Sequence, residues 1–160
     1  MTTSPPHIPA GYTLFQRDRG FSELIGPLHF MADDEGLHIG LRLDAQHCNP
    51  AGTAHGGLLA TLIDMQLPLG ARYALPDLDG HLLFTISLTM DFLAPVQRGQ
   101  WLYGSTQLLK RTPRMVFAQG FAMADGEIVA RASGSFRISA PTPDDLIDFT
   151  ALRAQQKKKS

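Results

Sequence analysis

A single cysteine, Cys48, is all the sulfur chemistry that 160 residues offer beyond methionine. It excludes an internal disulfide framework and fits a reducing, cytoplasmic setting. No apolar run approaches the length of a membrane-spanning helix, so no membrane partner is expected. Neither sign of charge dominates: 14 Lys and Arg against 15 Asp and Glu leave a formal net charge of -1. That balance supplies no electrostatic reason to bind nucleic acid or an anionic surface. The six histidines lack metal-ligand spacing, and no metal is expected. The opening "MTTSPPHIPAGY" has neither a basic n-region nor an apolar h-region, so no secretory signal is expected. Internal repeats and low-complexity linkers are missing as well.

What remains is the composition of one soluble domain, 44% apolar and 18% charged, long enough for a single core. We divide the chain into a lead (1–19), a domain (20–140) and a C-terminal extension (141–160). The closing "RAQQKKKS" reads as a disordered, solvated tail.

"GYTLFQRDRGFSELIG" has room for a short helix. In "PLHFMADDEGLHIGLRL", Leu37, Ile39, Leu41 and Leu43 alternate with polar or small residues, and Asp33 to Gly36 supply the turn of a hairpin. From Gly56 to Tyr73 the period changes. Leu58, Leu59, Leu62, Ile63, Met65, Leu67 and Leu69 cover nearly every side of a helix, which predicts burial; Pro68 is expected to kink or end it. Four alternating strands follow. The first places Phe84, Ile86, Leu88, Met90 and Phe92 on one face, and "WLYGSTQLLK" is the second. The last shares Ile128, Ala130, Ala132, Gly134, Phe136 and Ile138 on one face. The predicted fold is α+β, an antiparallel sheet of about six strands wrapped around one long central helix.

"HCNPAGTAHGG" precedes that helix and Asp64 lies within it. A helix N-terminus presents unpaired N–H groups and a favourable dipole to developing negative charge, and glycine lets a ligand approach them. An acid among apolar residues is poorly hydrated there, and so able to take a proton or to attack. Taken singly, each residue has a plainer reading. Gly56 and Gly57 read as a tight helix entry, His55 as a structural histidine and Cys48 as a packing residue. Lys110, Arg111 and Arg114 read first as a solvated turn, though such a patch could meet phosphates.

Together the residues carry more. The pattern His47, Asn49, Gly52, His55, Gly56, Gly57 and then Asp64, followed by Phe92, Pro95 and Gly99, resembles the hotdog-fold acyl-CoA thioesterases of the PaaI type. The resemblance spans roughly residues 20 to 138. It implies that the Gly56 N–H polarises a thioester carbonyl and that Asp64 is general base or nucleophile. It further implies that Asn49 helps place the carbonyl or the attacking water, and that Thr85 orients that water. His55, Gly57, Met65 and Phe84 are the expected substrate-binding residues, with Met90 and Phe92 beside them. Acyl-CoA is the expected substrate, with no separate cofactor. A homodimer, often paired again into a tetramer, is the expected assembly. The geometry agrees: Gly56 and Asp64 are eight positions apart, roughly 12 Å along one helix, too far for one carbonyl to meet both. Two antiparallel helices about a two-fold axis would bring each Gly56 to the other chain's Asp64. A hydratase or dehydratase on the same fold, or a non-catalytic acyl-CoA binding module, are the alternatives.

Overall fold

The structure is a computed structural model that describes residues 7–15, 20–142 and 147–158. In chain order the elements are β1 (Thr13–Leu14), α1 (Phe21–Ile25), β2 (His29–Asp33) and β3 (Gly36–Arg42), followed by α2 (Gly56–Ala74). Then come β4 (His81–Phe92), β5 (Trp101–Gly104), β6 (Gln107–Arg111), β7 (Met115–Ala124), β8 (Glu127–Pro141) and α3 (Phe149–Lys157). All strand pairs are antiparallel, in the order β1-β2-β3-β5-β7-β8-β4, with β6 also paired to β7.

The sheet curls around α2. Leu37, Ile39 and Leu41 of β3 and Val116, Ala118 and Ala122 of β7 are buried, and so are Leu59, Leu62, Ile63 and Leu67 of α2. The alternation in the sequence is thus the alternation of the pleat, with one side of β3 and of β7 committed to the helix. Asp33 closes the β2–β3 turn by accepting the N–H groups of Glu35 (2.9 Å) and Gly36 (3.2 Å).

The structure corrects several expectations. The sheet has eight strands, not about six. One addition is β1, from the lead. The other arises because "WLYGSTQLLK" breaks at Ser105 and Thr106: the Thr106 hydroxyl turns inward to donate to the Gln66 carbonyl (2.9 Å) and to accept from Gln66 Nε2 (2.8 Å). Pro68 does not end α2, which runs on to Ala74. Leu67, Pro68, Gly70 and Ala71 are all buried, and that packing holds the helix across the missing N–H.

Two β-bulges change which residues share a face. A register shift between Ala122 and Met123 turns Ile128 outward and gives its place in the core to Val129. A shift between Thr85 and Ser87 does the same in β4. The tail also departs from expectation: Arg153 to Lys157 belong to α3, not to disordered chain. Arg153 binds Asp79 through both carboxylate oxygens (2.8 and 2.9 Å) and donates to the Arg72 and Tyr73 carbonyls (3.0 and 2.8 Å). It thereby satisfies the C-terminal carbonyls of α2. Arg153 beside Asp79 holds that carboxyl below its ordinary range.

Candidate active site

The entrance to α2 is built by hydrogen bonds within its own loop. His47 is buried; its Nδ1 accepts the Asp44 N–H (2.9 Å) and its Nε2 lies 2.8 Å from the Ile25 carbonyl. That pattern requires the neutral tautomer with the proton on Nε2. Asn49 Oδ1 accepts from the N–H groups of Ala51 (2.9 Å) and Thr53 (3.3 Å), and its Nδ2 donates to the Thr53 hydroxyl (3.0 Å). The side chain expected to place a carbonyl or water therefore shapes the loop, with one Nδ2 hydrogen left over. Gly52 adopts φ 82°, the left-handed region that this tight loop requires.

A second segment, Phe92 to Gly99, braces the first. The Ala54 N–H reaches the Val96 carbonyl (2.8 Å), and Arg98 lies 2.7 Å from Asp44. The Ala45 N–H and then Arg98 hold the Asp44 carboxyl below its usual range. The two sequence patterns are thus one physical unit.

Within the first turn of α2, His55 is the N-cap. Its Nδ1 accepts from the Gly57 N–H (2.9 Å), and its carbonyl accepts from Leu58 (2.9 Å) and Leu59 (3.4 Å). A Cβ at Gly57 would meet that same Nδ1 at 2.9 Å, so the cap depends on glycine there. The Gly56 N–H has no acceptor among the described residues. It borders a groove of about 320 Å³ lined by Ala54, Gly56, Leu59, Phe92, Pro95 and Val96. A helix end that satisfies its other donors and leaves one free beside a groove is equipped to hold a carbonyl oxygen or an anion.

Asp64 lies further along the same helix. Its carboxylate is exposed in the single chain, not buried, and Oδ1 accepts the Thr85 hydroxyl at 2.7 Å. The bulge in β4 makes that contact. Thr85 pairs with Phe136 and so faces the helix, whereas Phe84 pairs with Arg137 and faces outward. Phe84, expected to line the pocket, lies on the opposite side of the sheet, with the Arg137 guanidinium 5.5 Å from its ring centre. Leu88, Met90 and Phe92, past the bulge, return to the inner face.

The expected residues therefore fall into separate places. Asn49, His55, Gly56 and Gly57 gather at the helix entrance, Asp64 and Thr85 meet beside β4, and Met65 lies on another flank, against Ile39 and Leu69. Among the described residues, no three His, Cys, Asp or Glu side chains come together as a metal site. No helix among them is long and apolar enough to cross a membrane.

Gln66 escapes a reading based on apolar spacing. It is fully buried and bridges β3, accepting the Ile39 N–H (2.7 Å) and donating to the Leu37 carbonyl (2.7 Å). Its carboxamide stands in for the strand that β5 no longer supplies beyond Gly104. The available signal was a polar residue on the buried stripe of Leu59, Leu62, Ile63 and Gly70.

Comparison with known proteins adds the decisive observation. Residues 51–131, which hold His55, Gly56, Gly57, Asp64 and Thr85, match the family model described as the Thioesterase superfamily. The chain belongs to that superfamily. Its fold is the hotdog fold, and the general activity supported by membership is thioester hydrolysis. Among relatives, the Pseudomonas aeruginosa protein PA0474, provisionally named an esterase, is 35% identical over 133 residues, covering 82% of this chain and 98% of that one. Two solved structures share the hotdog architecture. One is an N33D mutant of the phenylacetic acid degradation protein PaaI from Thermus thermophilus, with TM-score 0.56 and 22% identity over 64% of this chain and 84% of that one. The other is the protein BH2602 from Bacillus halodurans, solved with CoA, with TM-score 0.57 and 27% identity over 63% of this chain and 70% of that one.

Proposed function

We propose that this thioesterase-superfamily chain hydrolyses acyl-CoA at a site shared by two protomers. The observation that carries the reading is the pairing of two half-sites on one helix: a free Gly56 N–H at the N-terminus, and Asp64 with its Thr85 hydrogen bond eight residues on. Neither suffices alone. A thioester carbonyl gathers negative charge as it is attacked, and the Gly56 N–H with the helix dipole stabilises that charge. The Thr85 hydroxyl holds Asp64 Oδ1 and leaves Oδ2 open to a water. As the water oxygen bonds to the carbonyl carbon, Asp64 takes its proton; the C–S bond then breaks and the CoA thiolate is protonated as it leaves.

The assembly is supported by the exposed end of the sheet. β4 is its edge strand, twelve residues long. It leaves Phe84 (47%), Ile86 (59%) and Phe92 (56%) open to solvent, with Leu93 (54%) just beyond. A long apolar edge beside Asp64 fits a second copy of the chain, whose Gly56 would meet this Asp64. CoA as the thiol carrier is supported by the Bacillus halodurans relative solved with CoA. The reading is tested by free-thiol release from a panel of acyl-CoAs, with enoyl-CoA hydration as the counter-assay. Hydration without thiol release would refute it.

A further inference from the structure

His55, the N-cap of α2, lies in extended backbone (φ -66°, ψ 133°), and three of its groups hold the helix entrance. Its N–H donates to the His47 carbonyl (2.9 Å), its carbonyl accepts from Leu58 and Leu59, and its Nδ1 accepts from Gly57 (2.9 Å). An imidazole that accepts at Nδ1 carries its proton on Nε2 and is neutral, because an imidazolium has only donors. The donors that follow Gly56 in the first turn are thereby occupied, and the Gly56 N–H is left open to a ligand.

Histidine is an unusual choice for this position. Asn, Asp and Ser are the favoured N-caps, and an aspartate would also be stabilised by the helix dipole. What an aspartate would add is a fixed negative charge. The Gly56 and Gly57 N–H groups belong to adjacent residues, so a carboxylate bonded to Gly57 would lie roughly 5 Å from an oxyanion held by Gly56, close enough to repel it. We infer that His55 is a positioning residue that caps α2 without charge, holding Gly56 as the free donor and keeping an anion away from the charge that forms there. The inference rests on the acyl-CoA reading above. His55 acts on the reaction through Gly56 and Gly57 rather than by touching substrate.

The test compares kcat for thiol release from acyl-CoA, and thermal melts, in the unaltered protein and in His55→Asn, His55→Asp and His55→Ala. His55→Asn supplies a neutral acceptor and should keep kcat within about threefold and the melt unchanged. His55→Asp should melt at or above the normal temperature. Its kcat should nevertheless fall about 10- to 300-fold, the repulsion expected over roughly 5 Å at an effective dielectric of about 20–50. KM should move less, because the ground-state carbonyl carries no full charge. His55→Ala, with no acceptor, should lower both the melt and kcat. Near-normal kcat in both the Asn and the Asp variants would overturn the need for a neutral cap and leave the hydrolase reading standing. A similar loss of kcat in both, with normal melts, would mean that the ring itself is needed at the substrate, and would also overturn the inference. A His55→Asp protein that fails to fold would refute the cap. No thiol release from any acyl-CoA by the folded, unaltered protein would overturn the acyl-CoA reading as well.

Discussion

Adding one methyl group at Gly56 separates fold from chemistry. The Cα–Cβ bond of a helical residue leans toward the helix N-terminus, so the methyl of Gly56→Ala would overhang the free N–H. Its nearest neighbours would be two Phe92 ring atoms at 3.6 Å, an ordinary van der Waals contact, so the protein can accommodate it. Alanine is the better helix former by up to about 1 kcal/mol, and the melting temperature should hold or rise by up to about 2–4 °C. Activity should behave otherwise. The carbonyl oxygen must come within about 2.7–3.1 Å of the donor, and losing such a donor costs about 10²–10³ in kcat. Gly57→Ala is the contrasting variant: its Cβ would lie 2.9 Å from His55 Nδ1 and break the N-cap. That variant should lose about 0.5–2 kcal/mol of stability. Thiol release and thermal melts on both variants supply the comparison. A stable Gly56→Ala protein with undiminished kcat would refute the reasoning, as would one that fails to fold.

Three further outcomes are expected. Asp64→Ala should cut kcat by hundreds-fold or more with an unchanged melt, since its carboxylate is exposed and bonded to Thr85; near-normal turnover would remove it from the mechanism. Gln66→Leu should strand the Ile39 N–H and the Leu37 carbonyl, costing about 2–6 kcal/mol by denaturant titration; a loss below about 1 kcal/mol would contradict that role. The Asp79 carboxyl titrates below its ordinary value because Arg153 favours the ionised form, so its contribution to stability is complete above about pH 4 and fades as pH falls through the lowered value. Amide exchange in α3 should therefore accelerate in acid, and Asp79→Asn should raise exchange at neutral pH and flatten the acid response.

How much of this was legible in the sequence depended on how local its cause was. The hairpin, the buried helix and the helix entrance follow from neighbouring residues: alternation around Leu37 to Leu43, the apolar run after Gly56, and the glycines themselves. Phe84 shows where local pattern fails. Perfect alternation from Phe84 to Phe92 assigns one face to all five apolar residues, but the bulge past Thr85 reverses that face part-way along. Nothing in "FTISLTMDF" marks the bulge, which arises from pairing with β8. The broken strand at Ser105 and Thr106 has a similarly distant cause, the side chain of Gln66. α3 was missed because its short sequence is polar on most sides. Phe149 and Arg153 gain their value only against α2 and Asp79, which are remote in sequence.

The division of the site between two protomers is tested most directly by complementation. Gly56→Ala and Asp64→Ala proteins would be unfolded, mixed in equal amounts and refolded together. A mixed dimer then carries both lesions in one site and none in the other. If random assembly makes half of the dimers mixed, about a quarter of all sites regain full thiol-release activity from two nearly inactive parents. No recovery, with mixed dimers demonstrated, would place Gly56 and Asp64 in the same site of one chain and contradict the account.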